Sequence, residues 1–164
     1  MIFITRDERP PAGHGGAEEN DMTARAYEDV EVRSRAGTMT AATMCFNAAV
    51  LMVVAGMIWG IVMAATQDHS AMPAHAHLNL LGFVSLFLFG IFYQLHPALD
   101  RSGLARLQAI VWIAATVVMI VGVGLLHSGR EIGEPMAALS SLVVLADMLL
   151  FAFFVARRSR WLTA

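Results

Sequence analysis

The chain has 164 residues, of which 57% are hydrophobic and 15% are charged, and its mean hydropathy is +0.62. Such a composition excludes an ordinary soluble domain of this length and predicts an integral membrane protein surrounded by lipid. The net charge of −2 makes nucleic acid an unexpected partner, because nucleic-acid-binding domains carry a surplus of positive charge.

The first residues of the chain differ in composition from the remainder. Residues 1–38 are polar and acidic, contain Pro10-Pro11 and Glu18-Glu19, and show no apolar periodicity. This composition predicts a disordered N-terminal tail. The tail lacks the apolar core of a signal peptide, so we do not expect it to be a cleaved export sequence.

Four apolar stretches then make residues 39–160 a predicted transmembrane domain. Each stretch can cross a hydrocarbon core of about 30 Å, which takes about 20 helical residues. Because backbone groups in lipid must bond one another, these stretches are expected to be helices. The predicted fold is an all-α, four-helix transmembrane bundle. Its spans are predicted at about residues 41–66, 74–95, 104–127 and 135–156.

The arginines predict the orientation of the bundle, because short arginine-rich loops stay on the cytoplasmic side. Arginines flank the predicted spans on one side at Arg33, Arg35, Arg101, Arg106, Arg157, Arg158 and Arg160. The loops on the opposite side contain only Arg130. Both termini are therefore expected in the cytoplasm, and the expected location is the inner membrane of a bacterium.

The second predicted span begins with polar side chains, His75, His77 and Asn79. An ionisable side chain inside a span is by default a candidate functional group. At about 100° per residue, His75 and His77 point roughly 200° apart, so a continuous helix brings only one of them to a given metal. The His75 face continues through small residues typical of helix packing. The His77 face continues through Leu81, Val84, Leu88 and Ile91, an aliphatic wall suited to the edge of a macrocycle.

His127 ends the third predicted span and is expected at a depth similar to that of His77. A porphyrin held between two helices takes one neutral imidazole nitrogen on each face of its iron. Gly122 and Gly124 are expected to leave room for the ring. A second possibility is that these histidines bind no ligand and only contact water and lipid headgroups at the membrane surface. A third possibility is a zinc or copper site in the loops, built from His69, Asp68, His127, Glu131 and Glu134.

Asp147 lies near the middle of the fourth predicted span. A carboxylate there is costly unless it is protonated or paired inside the bundle. It is predicted either to relay protons or to specify the bundle through hydrogen bonds, with Ser140, Ser141 and Asn47 as potential partners. In the first predicted span, Gly56 and Gly60 form a small-xxx-small pair that permits close approach of another helix.

The stretch from Pro73 to Pro97 contains His77-Leu78-Asn79 followed by an apolar helix that ends at Tyr93. It resembles the second transmembrane helix of haem-copper oxidase subunit I, in the branch of C-type cytochrome oxidases and nitric-oxide reductases. The whole chain also resembles small four-span bacterial proteins labelled as subunit-I-like. The resemblance implies that His77 is an axial ligand of haem b, with Asn79 as its polar neighbour. It implies respiratory electron transfer or binding of a diatomic gas.

The chain also departs from that family. Subunit I has many more spans and further histidines that build a binuclear oxygen-reducing centre, so oxygen reduction by this chain alone is not expected. The second haem ligand would be His127, or His77 from a second subunit of a homodimer. Two alternatives stay open: a cofactor-free accessory or assembly subunit of a respiratory complex, and a small metal- or proton-handling protein that uses His69, His75, His127 and Asp147.

Overall fold

The structure is a computed structural model that describes Arg25 and residues 39–158. The chain divides into two units, Met1–Thr38 and Met39–Ala164, and all described residues except Arg25 belong to the second unit. The predicted disordered tail therefore lies outside the described residues, apart from Arg25.

Four long helices confirm the predicted all-α, four-helix architecture. Each is long and apolar enough to cross a membrane: span 1 is Ala41–Thr66, span 2 is Met72–Gln94, span 3 is Gly103–His127 and span 4 is Gly133–Ala156. Large apolar side chains cover much of the outside of this bundle, Leu51 being 72% exposed and Leu139 66% exposed. So much contiguous apolar surface is unfavourable in water but is expected where lipid surrounds the protein.

The loops of residues 67–71 and 128–132 lie at one end of the bundle, which we call the outer end after the orientation predicted from the arginines. At the other, inner end, the short helix Pro97–Asp100 joins spans 2 and 3. The Asp100 carboxylate accepts the backbone N–H of Ala42 at 2.7 Å, and the Ser102 hydroxyl accepts that of Ala105 at 3.1 Å. These side chains satisfy N–H groups in the first turns of spans 1 and 3 that have no helical acceptor.

Glycines allow spans 1 and 2 to approach each other closely. In every case a side chain of the neighbouring helix fills the space that a Cβ would take. The pairs are Gly56 with Asn79, Gly60 with His75, Gly82 with Met52 and Gly90 with Phe46. The small-xxx-small pair predicted from the sequence is thus used for packing inside the bundle.

Spans 3 and 4 pack closely enough for their backbones to be in contact. Gly122 of span 3 faces the backbone of Ala137 and the side chain of Met136. Gly133, at the start of span 4, faces the backbone of Leu126 and Gly122. Small residues allow this approach, and van der Waals packing then stabilises the pair.

Span 2 is not α-helical throughout, in contrast to the continuous helix assumed from its sequence. Its first and last parts are α-helical, but Leu78–Ser85 is a π-helix. The wider π-helical turn leaves backbone carbonyls open to other donors. The indole N–H of Trp112, from span 3, donates to the carbonyl of Leu81 at 3.0 Å, and the Ser85 hydroxyl donates to that of Leu80 at 3.0 Å. Irregular backbone in a membrane needs such partners.

Candidate functional site

A cavity of about 480 Å³ lies between spans 2, 3 and 4, and His77 is on its wall. The other lining residues are Ala76, Leu80 and Leu81 from span 2, Trp112 and Met119 from span 3, and Ser141, Val144, Leu145 and Met148 from span 4. The polar side-chain groups in this mostly aliphatic lining are the imidazole of His77, the hydroxyl of Ser141 and the indole N–H of Trp112. The last two already donate to backbone carbonyls. Such a cavity suits a largely apolar ligand that offers one group to an imidazole.

A backbone hydrogen bond fixes which nitrogen His77 presents. Its Nδ1 lies 2.7 Å from the carbonyl oxygen of Pro73. A carbonyl only accepts hydrogen bonds, so Nδ1 is the donor, and in the neutral imidazole the lone pair is on Nε2. Metal-bound histidines in proteins show the same arrangement, in which the second ring nitrogen donates to a carbonyl or carboxylate. His77 is therefore prepared to act as a ligand through Nε2.

The lining agrees only in part with the predicted aliphatic wall. Leu81 lines the cavity beside His77, whereas Val84, Leu88 and Ile91 are exposed on the outside of the bundle. The reason is the π-helix, which has more residues per turn than an α-helix and rotates the following side chains away from the His77 face. Residues of spans 3 and 4 supply the remaining wall.

His127 is an exposed residue at the end of span 3 and is not part of this lining. Its Nδ1 lies 2.9 Å from the carbonyl oxygen of Val123. The expectation that small residues near His127 leave room for a ring is wrong at Gly122. Span 4 packs directly onto Gly122, and a Cβ at Gly124 would touch Ala74 of span 2 at 3.8 Å.

The lining residues fit a haem in ligand chemistry and polarity. His77 offers one imidazole nitrogen, and the surrounding aliphatic side chains suit the faces of a porphyrin. The thioethers of Met119 and Met148 are the remaining lining groups of a type that binds haem iron. The cavity lining contains a single histidine, so it does not provide the pair of histidines expected from the sequence.

His75 and Asn79 form a second polar pair, on the side of span 2 that faces span 1. The Nδ2 atom of Asn79 lies 3.0 Å from His75 Nε2 and donates to the His75 carbonyl at 3.1 Å. The His75 ring packs over Gly60 and is edge-on to Trp59, with 6.4 Å between ring centroids. His75 and His77 thus contact different spans, as their predicted angular separation requires. Asn79 orients His75 rather than His77.

Asp147 belongs to a buried hydrogen-bond chain across three spans. The Tyr93 hydroxyl of span 2 donates to Gln108 Oε1 of span 3 at 2.5 Å. Gln108 Nε2 then donates to Asp147 Oδ2 of span 4 at 2.7 Å. All three side chains are buried. Sequence reasoning missed Tyr93 and Gln108, although an amide side chain in an apolar span is itself a signal of an internal partner.

The hydrogen-bond partners predicted for Asp147 are wrong. Ser140 and Ser141 donate to backbone carbonyls of their own helix, those of Met136 and Ala137, and Asn47 is exposed. Serine in a helix commonly makes this bond to the preceding turn, which removes it from contacts between helices. The amide of Gln108 does not titrate, so the chain from Tyr93 supports a bundle-specifying role for Asp147 over a proton relay.

The loops at the outer end do not assemble the metal site considered from the sequence. Among the described residues, no three side chains of histidine, cysteine, aspartate or glutamate are placed to hold a metal ion. Asp68 instead accepts the backbone N–H of Ser70 at 2.9 Å, and this hydrogen bond lowers the pKa of the Asp68 carboxyl. His69 Nδ1 lies 3.2 Å from the carbonyl oxygen of Gln67, so both side chains contact their own loop.

Comparisons of the chain with protein-family models, with curated proteins and with solved structures find no match. The sequence and structure together define an all-α, multi-pass membrane protein with four candidate spans.

Proposed function

We propose that the chain is a haem b-binding protein of the bacterial inner membrane, related to cytochrome oxidase subunit I, with His77 as the axial ligand. The observation that carries this proposal is the position of His77 as the single histidine in the cavity lining. Its Nδ1 is held by the Pro73 carbonyl at 2.7 Å, and the side chain lines an apolar cavity of about 480 Å³ between three spans. A hydrogen bond of this kind also raises the basicity of the ligating nitrogen.

The number of histidines in the lining bears on which reaction the protein supports. When bound, haem supplies an iron that changes oxidation state and can take a diatomic gas at an open position. Bis-histidine ligation closes that position and favours electron transfer. Because His77 is the single histidine of this lining, one chain would leave a position of the iron open to a gas unless the thioether of Met119 or Met148 took it. Electron transfer with two histidines would need His77 from a second copy.

The first test is an oxidised-minus-reduced visible spectrum of the full chain, purified in detergent after expression with added haem. The wild type is expected to show b-type bands. His77→Ala is expected to reduce bound haem to background, since it removes the ligand. The matched control is His127→Ala, which removes an exposed imidazole outside the cavity lining and is expected to keep the bands.

The outcomes separate the alternatives. Haem retained in His77→Ala, in a folded protein, would contradict the ligand assignment. Bands lost in both variants would restore the bis-histidine arrangement expected from the sequence. A folded wild type without haem would favour the cofactor-free accessory subunit. Carbon monoxide is expected to shift the reduced spectrum if the iron has an open position, whereas an unchanged spectrum would favour a second ligand, either Met119 or Met148 of the same chain or His77 of a second copy.

A further inference from the structure

Two methionines share the cavity with His77. Met119 comes from span 3 and Met148 from span 4, and both line the same space as the imidazole. A thioether sulfur is a soft donor that can bind haem iron opposite a histidine. Either sulfur is therefore a candidate for the position of the iron that His77 leaves open. The choice between them rests on the proposed function, since it concerns a ligand of the same haem.

Two contacts between spans 2 and 3 indicate depth in the bundle. Near the outer end, a Cβ at Gly124 of span 3 would lie 3.8 Å from the Cβ of Ala74 in span 2, and we call this the outer contact. Deeper in the bundle, the indole N–H of Trp112 donates to the Leu81 carbonyl at 3.0 Å, and we call this the inner contact. Because the two spans run in opposite directions, residues between these contacts on either span share one section of the bundle.

His77 and Met119 lie at the same level within this section. His77 is three residues from the outer contact and four from the inner contact, counted along span 2. Met119 is five residues from the outer contact and seven from the inner contact, counted along span 3. Each is therefore slightly less than halfway from the outer to the inner contact. Seven residues are about two helical turns, so Met119 is on the same face of span 3 as Trp112, and both line the cavity.

Met148 lies deeper, beyond the inner contact. Gln108, which is beyond the inner contact on span 3, donates to Asp147 Oδ2 at 2.7 Å. Met148 follows Asp147 on a span that runs away from the outer end. Its side chain is 37% exposed, whereas that of Met119 is 4% exposed. Met119 is therefore the thioether nearer in depth to His77, and it is the one held inside the bundle.

We propose that Met119 is the second axial ligand of the haem and that the protein transfers electrons rather than binding a gas. Methionine suits this role because its three rotatable bonds let the sulfur adapt to an irregular space. Two protein ligands leave the iron no open position for a gas. The protein then accepts one electron from a reduced one-electron carrier and passes it to an oxidised one, with no bond made or broken. A methionine ligand raises the reduction potential above that expected with two histidines.

Carbon monoxide binding tests the proposal on the full chain in detergent, expressed with added haem and followed by the reduced visible spectrum. The wild type is expected to show b-type bands that carbon monoxide leaves unchanged. Met119→Leu removes the sulfur at similar volume. It is expected to keep haem through His77, to gain a carbon monoxide shift and to have a lower reduction potential. The matched control is Met148→Leu, the same substitution in the same lining, which is expected to behave as the wild type.

A second variant, Met119→His, puts an imidazole in place of the sulfur. It is expected to remain insensitive to carbon monoxide and to have a lower reduction potential than the wild type. If Met119→Leu does not fold, this variant decides the test, because an unchanged potential would show that residue 119 does not bind the iron.

The outcomes separate the second ligand from haem binding itself. A haem-loaded wild type that already shifts with carbon monoxide, or a Met119→Leu variant that stays insensitive, would overturn the role of Met119 and leave haem binding through His77 in place. A carbon monoxide shift gained by Met148→Leu and not by Met119→Leu would place the ligand on span 4 instead. A folded wild type without b-type bands would overturn the proposed function, and the ligand assignment with it.

Discussion

Gly122→Ala is expected to destabilise the bundle strongly, because the added methyl group has no space between spans 3 and 4. A Cβ at Gly122 would lie 2.7 Å from the backbone nitrogen of Ala137 and 2.9 Å from the Cβ of Met136. These atoms belong to the framework of span 4, so they can move only if the helix moves. Overpacking of this kind typically costs about 1–3 kcal/mol, and Gly122→Leu should cost more.

The measurement is the thermal unfolding midpoint of the purified protein in detergent. Gly124→Ala is the matched control, because it adds the same methyl group to the same helix two residues away. A Cβ at Gly124 would meet Ala74 at 3.8 Å, which is an ordinary van der Waals contact. Its midpoint should be unchanged or slightly higher, since alanine favours a helix over glycine. Equal midpoints for the two variants would contradict the close backbone packing at Gly122.

Gln108→Leu is the second substitution expected to have a large effect. Leucine is similar in size to glutamine, but it leaves the Tyr93 hydroxyl and the Asp147 carboxyl without their partner in the interior of the bundle. A buried polar group that loses its hydrogen bond lowers the stability of the fold, because it has given up its bonds to water without a replacement. For two such groups in a membrane bundle, we expect a loss of about 2–4 kcal/mol. The loss is measured as the change in the free energy of unfolding, from unfolding curves in mixed micelles with increasing denaturing detergent.

A double substitution distinguishes a hydrogen-bond network from three separate contacts. Gln108→Leu combined with Asp147→Leu removes both partners of one bond, so the pair should be less harmful than the sum of the two single variants. Tyr93→Phe removes only the terminal hydroxyl and should cost about 1 kcal/mol. Additivity of Gln108→Leu and Asp147→Leu to within about 0.5 kcal/mol would argue against coupling through this chain.

The positions of the spans follow closely from the sequence. Every predicted span begins and ends within two residues of its structural counterpart, for example residues 74–95 against Met72–Gln94. A span is a local property, because its apolar length must match the membrane and its backbone must bond within itself. The use of Gly56 and Gly60 for close packing was predictable for a similar reason, since small side chains permit approach whichever helix provides the partner.

The shape of span 2 was not predictable from its own residues. Nothing in the sequence of Leu78–Ser85 distinguishes a π-helix from an α-helix. A donor from another helix, the indole of Trp112, satisfies the open carbonyl of Leu81. The π-helix then determines which residues share a face with His77. The prediction of the His77 face assumed a constant angle per residue. It therefore included Val84 and Leu88, which are exposed on the outside of the bundle.

The sequence by itself determined that this chain is a four-span membrane protein with an imidazole near one end of its second span. Only the tertiary structure decided which polar groups meet: Asp147 with Gln108, Asn79 with His75, and His77 with a cavity that excludes His127 from its lining. The length of each apolar segment must match the thickness of the membrane, and each segment meets this requirement by itself. Contacts between polar groups depend on how each helix is rotated about its axis, which is settled when all four spans pack together.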